Sequence, residues 1–562
     1  MDKKRILVIG GASIKALEFI KQKLDLGIEV VCLDNLSSSD INNIEKFKSY
    51  KNFIFIEHDI NIPFFIEVDE VYSFINNTND KIKDNIRMLI EKNKIEEDNI
   101  KTISIIGTGY VGLTFASILS NIGYKVYTVD IDENKINTVK SGKSYFFEPG
   151  LDRFIEVGIK SGNLIPITSY KDAIPESDVV FICVGTPATE DGSSDLSYVF
   201  ESAKEIALNA KKDLIVVQKS TVPVKTSRET KRILDKNNTN GVNIEILSNP
   251  EFLREGSAIF DTLFFDRVVI GGKKEASLKV AEIYSKIDDF ARTLDIKEFN
   301  EYAFLNISSK YIENIPEFSK RLVLIDNIES SELIKVTSNS FLALKIAFAN
   351  TVARICDKTG ADSKSVFDGV GMDNRIGRAF LYPGLGYGGD CFPKDVAGMI
   401  DTASSFDVNF GILHEVVNVN KTQTYFVIDK IKRMIGTDDL HDVKIAVLGL
   451  SFKAGTSDIR KSPSIRLIDK LLKQGAVIKA FDPRAIDNSK KVLEHNNLEY
   501  ADNIEDVFDG VDIIVVATEW KEFIDFDYSN IINKMNKPIF LDVKGIMDLE
   551  KMRKIGFKIE RI

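Results

Sequence analysis

The residues with the clearest chemical potential form a glycine-rich segment that brings one cysteine close to an acid. The segment is Gly386-Tyr387-Gly388-Gly389-Asp390-Cys391-Phe392-Pro393-Lys394-Asp395. If a helix begins near Cys391, its N-terminal dipole and the charge of Lys394 both favour the nucleophilic thiolate. Asp395 would then lie one turn further along the same face. An isolated cysteine is more often a buried structural residue, so the rest of the chain must decide between these interpretations.

Two further pairs of polar residues show the same spacing. They are Glu251 with Glu255, and Lys335 with Asn339. On a helix each pair would project from one face, although exposed surface helices carry such pairs routinely. Lys335 and Asn339 border an otherwise apolar segment, and a cation beside an amide there suits the stabilisation of a negatively charged oxygen.

A dinucleotide-binding pattern precedes both pairs. The run Ile103-Ser104-Ile105-Ile106-Gly107-Thr108-Gly109-Tyr110-Val111-Gly112 is typical of a strand followed by the start of a helix. Gly107 would allow the tight turn, Gly109 the approach of a pyrophosphate, and Gly112 the close packing of helix on strand. Asp130 follows at the end of the next predicted strand, where a carboxylate accepts hydrogen bonds from the adenosine ribose. The pattern therefore predicts a site for NAD rather than NADP.

Two later strand patterns, 181–187 and 216–223, end in polar loops. Because the carboxyl ends of parallel strands face the ligand crevice, Thr186 and Thr221 would border the same site. Thr221 alone would also suit an ordinary helix N-cap, and both interpretations remain open from the pattern.

Composition argues against several classes of protein. The 562 residues carry a net charge of −10, so neither nucleic acid nor an anionic membrane is the expected main partner. The four cysteines and four histidines are scattered, which argues against a disulfide framework and against a metal site. No apolar stretch reaches the roughly 20 residues of a membrane span. We therefore expect a cytoplasmic protein without a bound metal.

The hydrophobic pattern predicts an α/β fold with several domains. Apolar runs at 5–10, 102–107 and 443–449 end in glycine and precede helical patterns, which indicates three parallel sheets. We predict two Rossmann-like doubly wound domains joined by a central helical connector with a dimer interface, preceded by a degenerate Rossmann-like half-domain. The predicted ranges are 1–79 for the half-domain, 80–100 for a charged linker helix, 101–329 for the NAD-binding domain, 330–435 for the connector and 436–562 for the C-terminal Rossmann-like domain.

From Lys101 to the C-terminus the chain resembles the UDP-glucose/GDP-mannose dehydrogenase family. The motifs that carry the resemblance include the glycine pattern at 107–112, GluProGlyLeu at 148–151, LysSerThrValPro at 219–223, AsnProGluPheLeuArgGluGly at 249–256, AspArgValValIleGly at 266–271, GluLeuIleLys at 332–335 and the cysteine loop. The resemblance implies two successive oxidations by NAD that take the C6 alcohol of a nucleotide sugar to a carboxylate. The motifs at 249–256 and 266–271 favour UDP-glucose. GDP-mannose, a UDP-N-acetyl sugar, or a catalytically silent sugar sensor remain alternatives.

The same resemblance implies catalytic roles. A cysteine would capture the aldehyde and carry a thioester, a lysine and an asparagine would stabilise the oxyanion, and two acids with a threonine would hold or activate water. The residues at those positions are, in that order, Cys391, then Lys335 and Asn339, then Asp395, Glu251 and Thr221.

Binding roles follow from the same positions. The residues implied for NAD are Gly107, Gly109, Tyr110, Val111, Gly112, Asp130, Lys135, Thr186, Thr221, Glu255 and Arg460. Those implied for the UDP-sugar are Glu251, Phe252, Leu253, Arg254, Lys335, Asn339, Arg375, Phe380, Tyr382, Gly384, Tyr387, Gly388 and Lys453. The family can donate the residue at Arg375 across a dimer, which implies a homodimer or a higher homo-oligomer.

The chain departs from the family pattern in three ways. Lys544 replaces a usual arginine and lacks its planar fork. An apparent insertion occupies about 288–324. The third departure is the extra N-terminal unit. Through its runs at 6–12, 31–36 and 58–60 it resembles the opening half of an NAD-dependent epimerase/UDP-glucuronate decarboxylase. Its loop Gly10-Gly11-Ala12-Ser13 lacks the later glycines of that family, so we predict a vestigial domain used in assembly rather than a second active site.

Overall fold

The computed structural model describes most of the chain. The described residues are 4–37, 39–57, 66, 68–75, 100–187, 189, 193–294 and 315–562. Apart from residue 100, the charged helix predicted over 80–100 lies outside them, as does the middle of the predicted insertion. The chain divides into two compact units, Met1–Thr186 with Leu196–Glu332, and Pro187–Asp195 with Leu333–Ile562.

The first unit opens with a small sheet. Its elements are β1 (Arg5–Ile9), α1 (Leu17–Asp25), β2 (Glu29–Asp34), β3 (Phe53–Glu57) and β4 (Glu70–Ser73). The strands lie in the order β3-β2-β1-β4, and the three pairings are parallel. This sheet is the predicted N-terminal half-domain.

A larger sheet with flanking helices makes up the rest of this unit. Its strands are β5 (Thr102–Ile106), β6 (Lys125–Val129), β7 (Leu164–Ile167), β8 (Val179–Ile182), β9 (Leu214–Gln218), β10 (Ile244–Ser248), β11 (Val268–Gly271) and β12 (Leu322–Ile325). Its helices are α2 (Tyr110–Asn121), α3 (Glu133–Lys140), α4 (Leu151–Ser161), α5 (Tyr170–Ala173), α6 (Ser197–Asn209), α7 (Thr226–Asn237), α8 (Ala258–Leu263), α9 (Lys274–Thr293) and α10 (Phe318–Arg321). The order is β12-β11-β10-β9-β8-β5-β6-β7, with β10 and β11 antiparallel. The direction of winding reverses beside β5, where the carboxyl ends of the strands open a crevice.

The remaining elements begin with long helices and end with a second doubly wound sheet. The helices are α11 (Ile328–Thr359), α12 (Ser363–Gly371), α13 (Cys391–Ser405) and α14 (Gly411–Ile435). They precede β13 (Lys444–Leu448), α15 (Pro463–Leu472), β14 (Val477–Phe481), α16 (Ile486–Lys490), β15 (Leu498–Tyr500), β16 (Ile513–Val516), α17 (Lys521–Asp525), β17 (Ile539–Asp542), α18 (Leu549–Ile555) and β18 (Lys558–Arg561). The six strands are parallel, in the order β15-β14-β13-β16-β17-β18.

The predicted fold class is confirmed by these elements. Two doubly wound sheets are joined in sequence by helices, and a small extra sheet precedes them. The central strands are continuous apolar runs because both faces of a parallel sheet are covered, and β5 and β16 are buried along their whole length. The domain ranges given above remain predictions.

One face of the N-terminal sheet packs against α4. Leu7 and Ile9 of β1 share an apolar cluster with Val157 of α4, which is 4% exposed. Arg5 Nη1 donates to the carbonyl oxygen of Ser161 at 3.1 Å, at the C-terminus of α4, where the helix dipole favours a cation. A parallel sheet needs cover on both faces, and a helix from the neighbouring sheet supplies part of it here.

Replacing Val157 by aspartate should weaken this packing. A carboxylate would be buried among apolar side chains, so we expect the free energy of unfolding to fall by about 3 kcal/mol, measured by urea denaturation. Val492→Asp is the matched control because Val492 is 62% exposed, and it should change stability by less than about 0.5 kcal/mol. Equal stability of the two variants would show that the sheet does not depend on α4.

Candidate active site

Three glycines shape the loop between β5 and α2. Gly107 has a φ of +98°, and a Cβ there would lie 2.7 Å from the carbonyl oxygen of Cys183. A Cβ at Gly112 would overlap the carbonyl oxygen of Gly107, so packing requires glycine at both positions. Gly109 is the N-cap of α2, and no atom lies within 4 Å of its Cβ position. This open space at a helix N-terminus fits a pyrophosphate.

Asp130 forms the predicted adenosine side of the site. Its Oδ2 accepts hydrogen bonds from the backbone N of Thr108 at 3.0 Å and from the Thr108 hydroxyl at 2.5 Å. Lys135 Nζ lies 3.9 Å from Asp130 Oδ2 and 5.3 Å from the ring centroid of Tyr145. Tyr145 donates its hydroxyl to the carbonyl oxygen of Thr108 at 2.9 Å. Sequence reasoning missed Tyr145, for which its place just before the motif at 148–151 was the available signal.

The other predicted cofactor residues of this unit lie near the same strand ends. Tyr110 and Val111 begin α2, and the ring centroid of Tyr110 lies 4.0 Å from that of Phe146. Thr186 Oγ1 donates to the carbonyl oxygen of Thr221 at 2.8 Å, which ties together the loops that follow β8 and β9. Thr221 does not cap α7, because that helix begins at Thr226, so the helix-cap interpretation is wrong.

Glu251 and Glu255 do not lie on a helix, so the helical interpretation of this pair is wrong. The segment 249–256 is a loop between β10 and α8. Glu251 Oε2 accepts a hydrogen bond from the backbone N of Leu253 at 2.5 Å, and this contact turns the chain locally. Four-residue spacing predicts a shared face only after the helix itself has been established.

Glu148 holds the end of this loop from far away in the sequence. Its two carboxylate oxygens accept hydrogen bonds from the backbone N of Gly256 and of Ala258, both at 2.7 Å. Arg254 is held in turn by Asp261, with Nη2 and Oδ1 2.5 Å apart. Sequence reasoning found Glu148 in a family motif but gave it no role.

The four predicted substrate residues of this loop line one cavity of the first unit. They are Glu251, Phe252, Leu253 and Arg254. The Arg267 guanidinium lies over the ring of Phe252, 3.9 Å from its centroid, and thereby orients that ring. Lys219 and Tyr284 line the same cavity.

In the second unit, α13 begins at Cys391, as the sequence predicted. Asn420 of α14 fixes the loop before it, accepting from the backbone N of Tyr387 at 2.8 Å and donating to its carbonyl oxygen at 3.1 Å. A Cβ at Gly388 would lie 2.6 Å from the carbonyl oxygen of Lys461. The half-buried Cys391 therefore occupies the positive end of a helix behind a fixed loop.

Asn339 and Asp395 contact each other directly. Asn339 Nδ2 donates to Asp395 Oδ2 at 2.5 Å, and their side chains come from α11 and α13. Lys335 lies one turn before Asn339, and all three residues are buried. The sequence-predicted acid and amide are thus brought together.

Gly384 lies beside the lysine that departs from the family pattern. Lys544 Cδ is 3.6 Å from the Cβ position of Gly384, and Lys544 Nζ contacts Glu519 Oε2 at 2.8 Å. Burial by itself would raise the pKa of Glu519, but Lys544 and Lys453 together hold that pKa below its ordinary value. Two cations beside one carboxylate leave a net positive charge, which suits the phosphates of a nucleotide.

The remaining predicted residues of the second unit pair locally or lie exposed. Tyr382 is 57% exposed, and the exposed Arg375 forms an ion pair with Asp373 at 2.6 Å. Phe380 adopts a left-handed φ of +64°, and its ring centroid lies 6.2 Å from that of the phenylalanine after the cysteine. Arg460 forms an ion pair with the acid two positions before it.

The described residues show no membrane span and no metal centre. None of the helices among them is both long enough and apolar enough to cross a membrane. No cluster of three or more histidine, cysteine or acidic side chains suited to a metal ion occurs in the same part of the chain.

Three models of one protein family match this chain. They are described as the NAD binding domain, the central domain and the UDP binding domain of the UDP-glucose/GDP-mannose dehydrogenase family, and they match residues 101–288, 329–422 and 446–549. The first covers the glycine loop, the second covers Asn339 and Cys391, and the third covers Lys453. The matches leave residues 1–100 unassigned.

Relatives and solved structures agree with these models. A UDP-glucose 6-dehydrogenase of Rickettsia prowazekii is 38% identical over 457 residues, covering 81% of this chain and 98% of the relative. UDP-glucose 6-dehydrogenase YwqF of Bacillus subtilis is 38% identical over 454 residues, covering 81% and 96%. A UDP-glucose dehydrogenase structure from Pyrobaculum islandicum matches with a TM-score of 0.71 and 30% identity, covering 83% of this chain and 98% of the other.

Replacing Gly109 by alanine should weaken NAD binding without unfolding the protein. The Cβ would enter the open space in front of α2 while meeting no protein atom, so we expect the melting temperature to stay within about 2 °C. The affinity for NAD, measured by calorimetry, should fall at least about 10-fold because the pyrophosphate approaches this backbone.

Gly369→Ala is the matched control for this substitution. Its Cβ also meets open space, within α12, and it should leave NAD affinity unchanged. Unchanged affinity in Gly109→Ala itself would contradict a pyrophosphate position at this loop.

Proposed function

The chain belongs to the UDP-glucose/GDP-mannose dehydrogenase family, and we propose that it is an NAD-dependent UDP-glucose 6-dehydrogenase that makes UDP-glucuronate. Relatives that carry this name are 36% to 38% identical over about four fifths of the chain. The observation that supports the chemistry most directly is the helix α13. It begins at Cys391 and carries Asp395, which is bonded to Asn339.

The first unit fits the cofactor. The chain contains the NAD-binding domain of its family, and the glycine loop leaves open space at the N-terminus of α2. Backbone N–H groups from Gly107 to Gly112 would hold the pyrophosphate, and Asp130 with Lys135 the adenosine ribose. When bound, NAD accepts a hydride from C6 of the sugar in each of the two oxidations.

Cys391 is the nucleophile of the proposed mechanism. The dipole of α13 favours its thiolate, which adds to the C6 aldehyde formed by the first oxidation. The oxygen anion of the resulting thiohemiacetal is stabilised by the ammonium of Lys335 and the amide of Asn339. Loss of a second hydride from C6 converts this adduct to a thioester.

Hydrolysis of the thioester completes the reaction. Water adds to the carbonyl carbon, the C–S bond breaks, Cys391 leaves as a thiolate, and the sugar carboxylate is released. The residues that stand at the family's positions for holding this water and relaying its protons are Asp395, Glu251 and Thr221. A silent sugar sensor would need no such set of residues, which favours the enzyme.

UDP-glucose is the substrate that we propose, with GDP-mannose or a UDP-N-acetyl sugar as the alternative. The UDP binding domain matches 446–549. In the second unit Lys544 lies beside Gly384, and Lys544 and Lys453 both act on the Glu519 carboxylate, which supports a phosphate-binding role for these cations. The loop 249–256 would contact the sugar through Glu251. The shape and the polar groups of this loop would then distinguish one sugar from another.

We further propose that the protein is a homodimer. Phe341, Phe348 and Ile355 of α11 are 60%, 54% and 57% exposed, and their seven-residue spacing places them in one row. The apolar residues of this helix therefore do not share one environment, since Val336 is buried while this row is exposed. A second copy would cover the exposed row, and Arg375 would reach the partner's site.

The N-terminal sheet has a separate role in this proposal. A Cβ at Gly11 would collide with Cys32 Sγ, and Asp34 accepts hydrogen bonds from the backbone N of Ala12 and of Leu36. The loop is thus satisfied by its own sheet, which supports a vestigial domain that serves assembly. The reduced Cys32 and Cys183, both buried, suit a cytoplasmic location.

The purified protein should release about two NADH per UDP-glucose, followed by absorbance, because alcohol passes to acid through one aldehyde. Cys391→Ser should lower formation of UDP-glucuronate at least about 1,000-fold, since the thioester cannot form. Cys356→Ser, at a buried cysteine of α11, is the matched control and should retain the two-to-one ratio.

Normal formation of the acid by Cys391→Ser would contradict the covalent mechanism. Turnover of GDP-mannose or UDP-N-acetylglucosamine in place of UDP-glucose would keep the chemistry and change the substrate. If the protein still binds NAD but releases no NADH with any of the three sugars, the proposed enzymatic activity would be contradicted.

Replacing Phe348 by aspartate should separate the proposed dimer into monomers. The new charge would be buried in the apolar row, so we expect the dissociation constant to rise at least about 100-fold, measured by sedimentation. Leu278→Asp is the control, because Leu278 of α9 is 50% exposed, and it should leave the mass unchanged. A dimer that survives Phe348→Asp would place the interface elsewhere.

A further inference from the structure

Lys219 is a buried lysine to which the mechanism above gives no role. It follows β9 directly and is 5% exposed. Its Nζ donates to the Tyr284 hydroxyl at 2.8 Å and to Asn249 Oδ1 at 3.1 Å. The ring centroid of Phe115 lies 4.8 Å from the same nitrogen. The hydrogen-bond partners of this ammonium among the described residues are therefore neutral.

Such a position is costly for a lysine. An ammonium loses its hydration on burial, and an amide and a phenol replace that hydration only in part. An apolar side chain of similar length would fill the same space without this cost. The reason for a charged, hydrogen-bonded lysine at this position must therefore lie in function rather than in stability.

The ammonium fixes the side chain of Asn249, which directly follows β10. Asn249 Oδ1 accepts from both Lys219 and the Tyr284 hydroxyl, while Nδ2 donates to the carbonyl oxygen of Val269 at 2.8 Å. The backbone N of Asn249 donates to the carbonyl oxygen of Gln218 at 2.9 Å. Because both ends of the amide are committed, this contact ties together the carboxyl ends of β9 and β10 and the middle of β11.

Two proposed catalytic residues lie just beyond these ties. Thr221 comes two positions after Lys219, and Glu251 comes two positions after Asn249. Burial raises the pKa of the Cys183 thiol to about 12, while Lys219 acts to lower that pKa and Glu251 to raise it further. The ammonium and the Glu251 carboxylate therefore lie within electrostatic range of the same thiol, and both line one cavity.

We propose that Lys219 is a positioning residue for hydrolysis of the thioester. It holds the turn that carries Glu251 through Asn249, and it begins the loop that carries Thr221. This inference rests on the proposed function. In the step concerned, the water oxygen bonds to the thioester carbon, the C–S bond breaks, Cys391 leaves as a thiolate, and Glu251 accepts the proton from the water. The two hydride transfers need no water, so the loss of Lys219 should slow the last step selectively.

Lys219→Met tests this selectivity. On rapid mixing with saturating NAD and UDP-glucose, so that weaker binding does not limit the burst, the variant should release about two NADH per active site at a rate within about 3-fold of the wild type. The steady state that follows should be at least about 10-fold slower than in the wild type. Intact mass spectrometry of the quenched variant should detect the sugar thioester on the protein in excess of the wild-type amount.

Two further variants complete the comparison. Tyr284→Phe removes one hydrogen bond and keeps the ring, and it should slow the steady state in the same way by a smaller factor. Lys204→Met is the matched control, because Lys204 forms an exposed pair with Glu201 on α6, and it should behave as the wild type. Lys219→Met should melt no lower than the wild type, since it removes a buried charge.

Three results would overturn the proposal. They are equal slowing of the burst and the steady state, an unchanged steady state, and a uniform loss of activity with a melting temperature lowered by more than about 5 °C. If Lys219→Met does not fold, Tyr284→Phe carries the test by the same burst criterion. A wild type that releases no NADH with any sugar overturns the proposed function, whereas an active wild type with uniformly slowed variants overturns the role of Lys219 alone.

Discussion

A carboxylate at the end of the second strand organises each of the three sheets. Asp34, Asp130 and Asp482 accept a backbone hydrogen bond from the loop after the first strand, at 3.0, 3.0 and 2.8 Å. The first residue of each loop is a glycine with positive φ that donates its N–H to the carbonyl oxygen just before this acid, at 2.8 Å in all three sheets. This turn keeps the loop folded back over the sheet and leaves the carboxyl ends of the strands accessible to ligands. The rest of the proposed chemistry depends on that accessible edge.

The three sheets differ in what they place in front of this turn. In the NAD-binding sheet the space at Gly109 is open, whereas in the N-terminal sheet the Cβ position of Gly11 is occupied by Cys32. The same backbone constraint therefore yields a ligand site in one case and a filled core in the other. Pyrophosphate binding requires the backbone itself to be approached, and the open position at Gly109 leaves room for that approach.

Much of the fold and part of the site could be predicted from local sequence. Apolar runs ending in glycine predicted the three sheets, and a cysteine after a glycine loop predicted the start of α13. The helix proposed for Glu251 and Glu255 failed because Glu148, 108 positions before Gly256, shapes that loop through the backbone. The contact of Lys219 with Tyr284 joins residues 65 positions apart. No local pattern encodes such pairs, since spacing in sequence constrains only neighbours on one element.

The arrangement of α4 between two sheets has a consequence for synthesis. The N-terminal sheet is the first part of the described chain to leave the ribosome, and its face formed by Leu7 and Ile9 is covered by Val157. Val157 follows the end of β4 at Ser73 by 84 residues (157 − 73). At a synthesis rate of about 5–20 residues per second, that face stays uncovered for roughly 4–17 s before Val157 is synthesised. The nascent chain thus exposes an unfinished sheet for seconds, and chaperone binding during translation should concentrate on this interval.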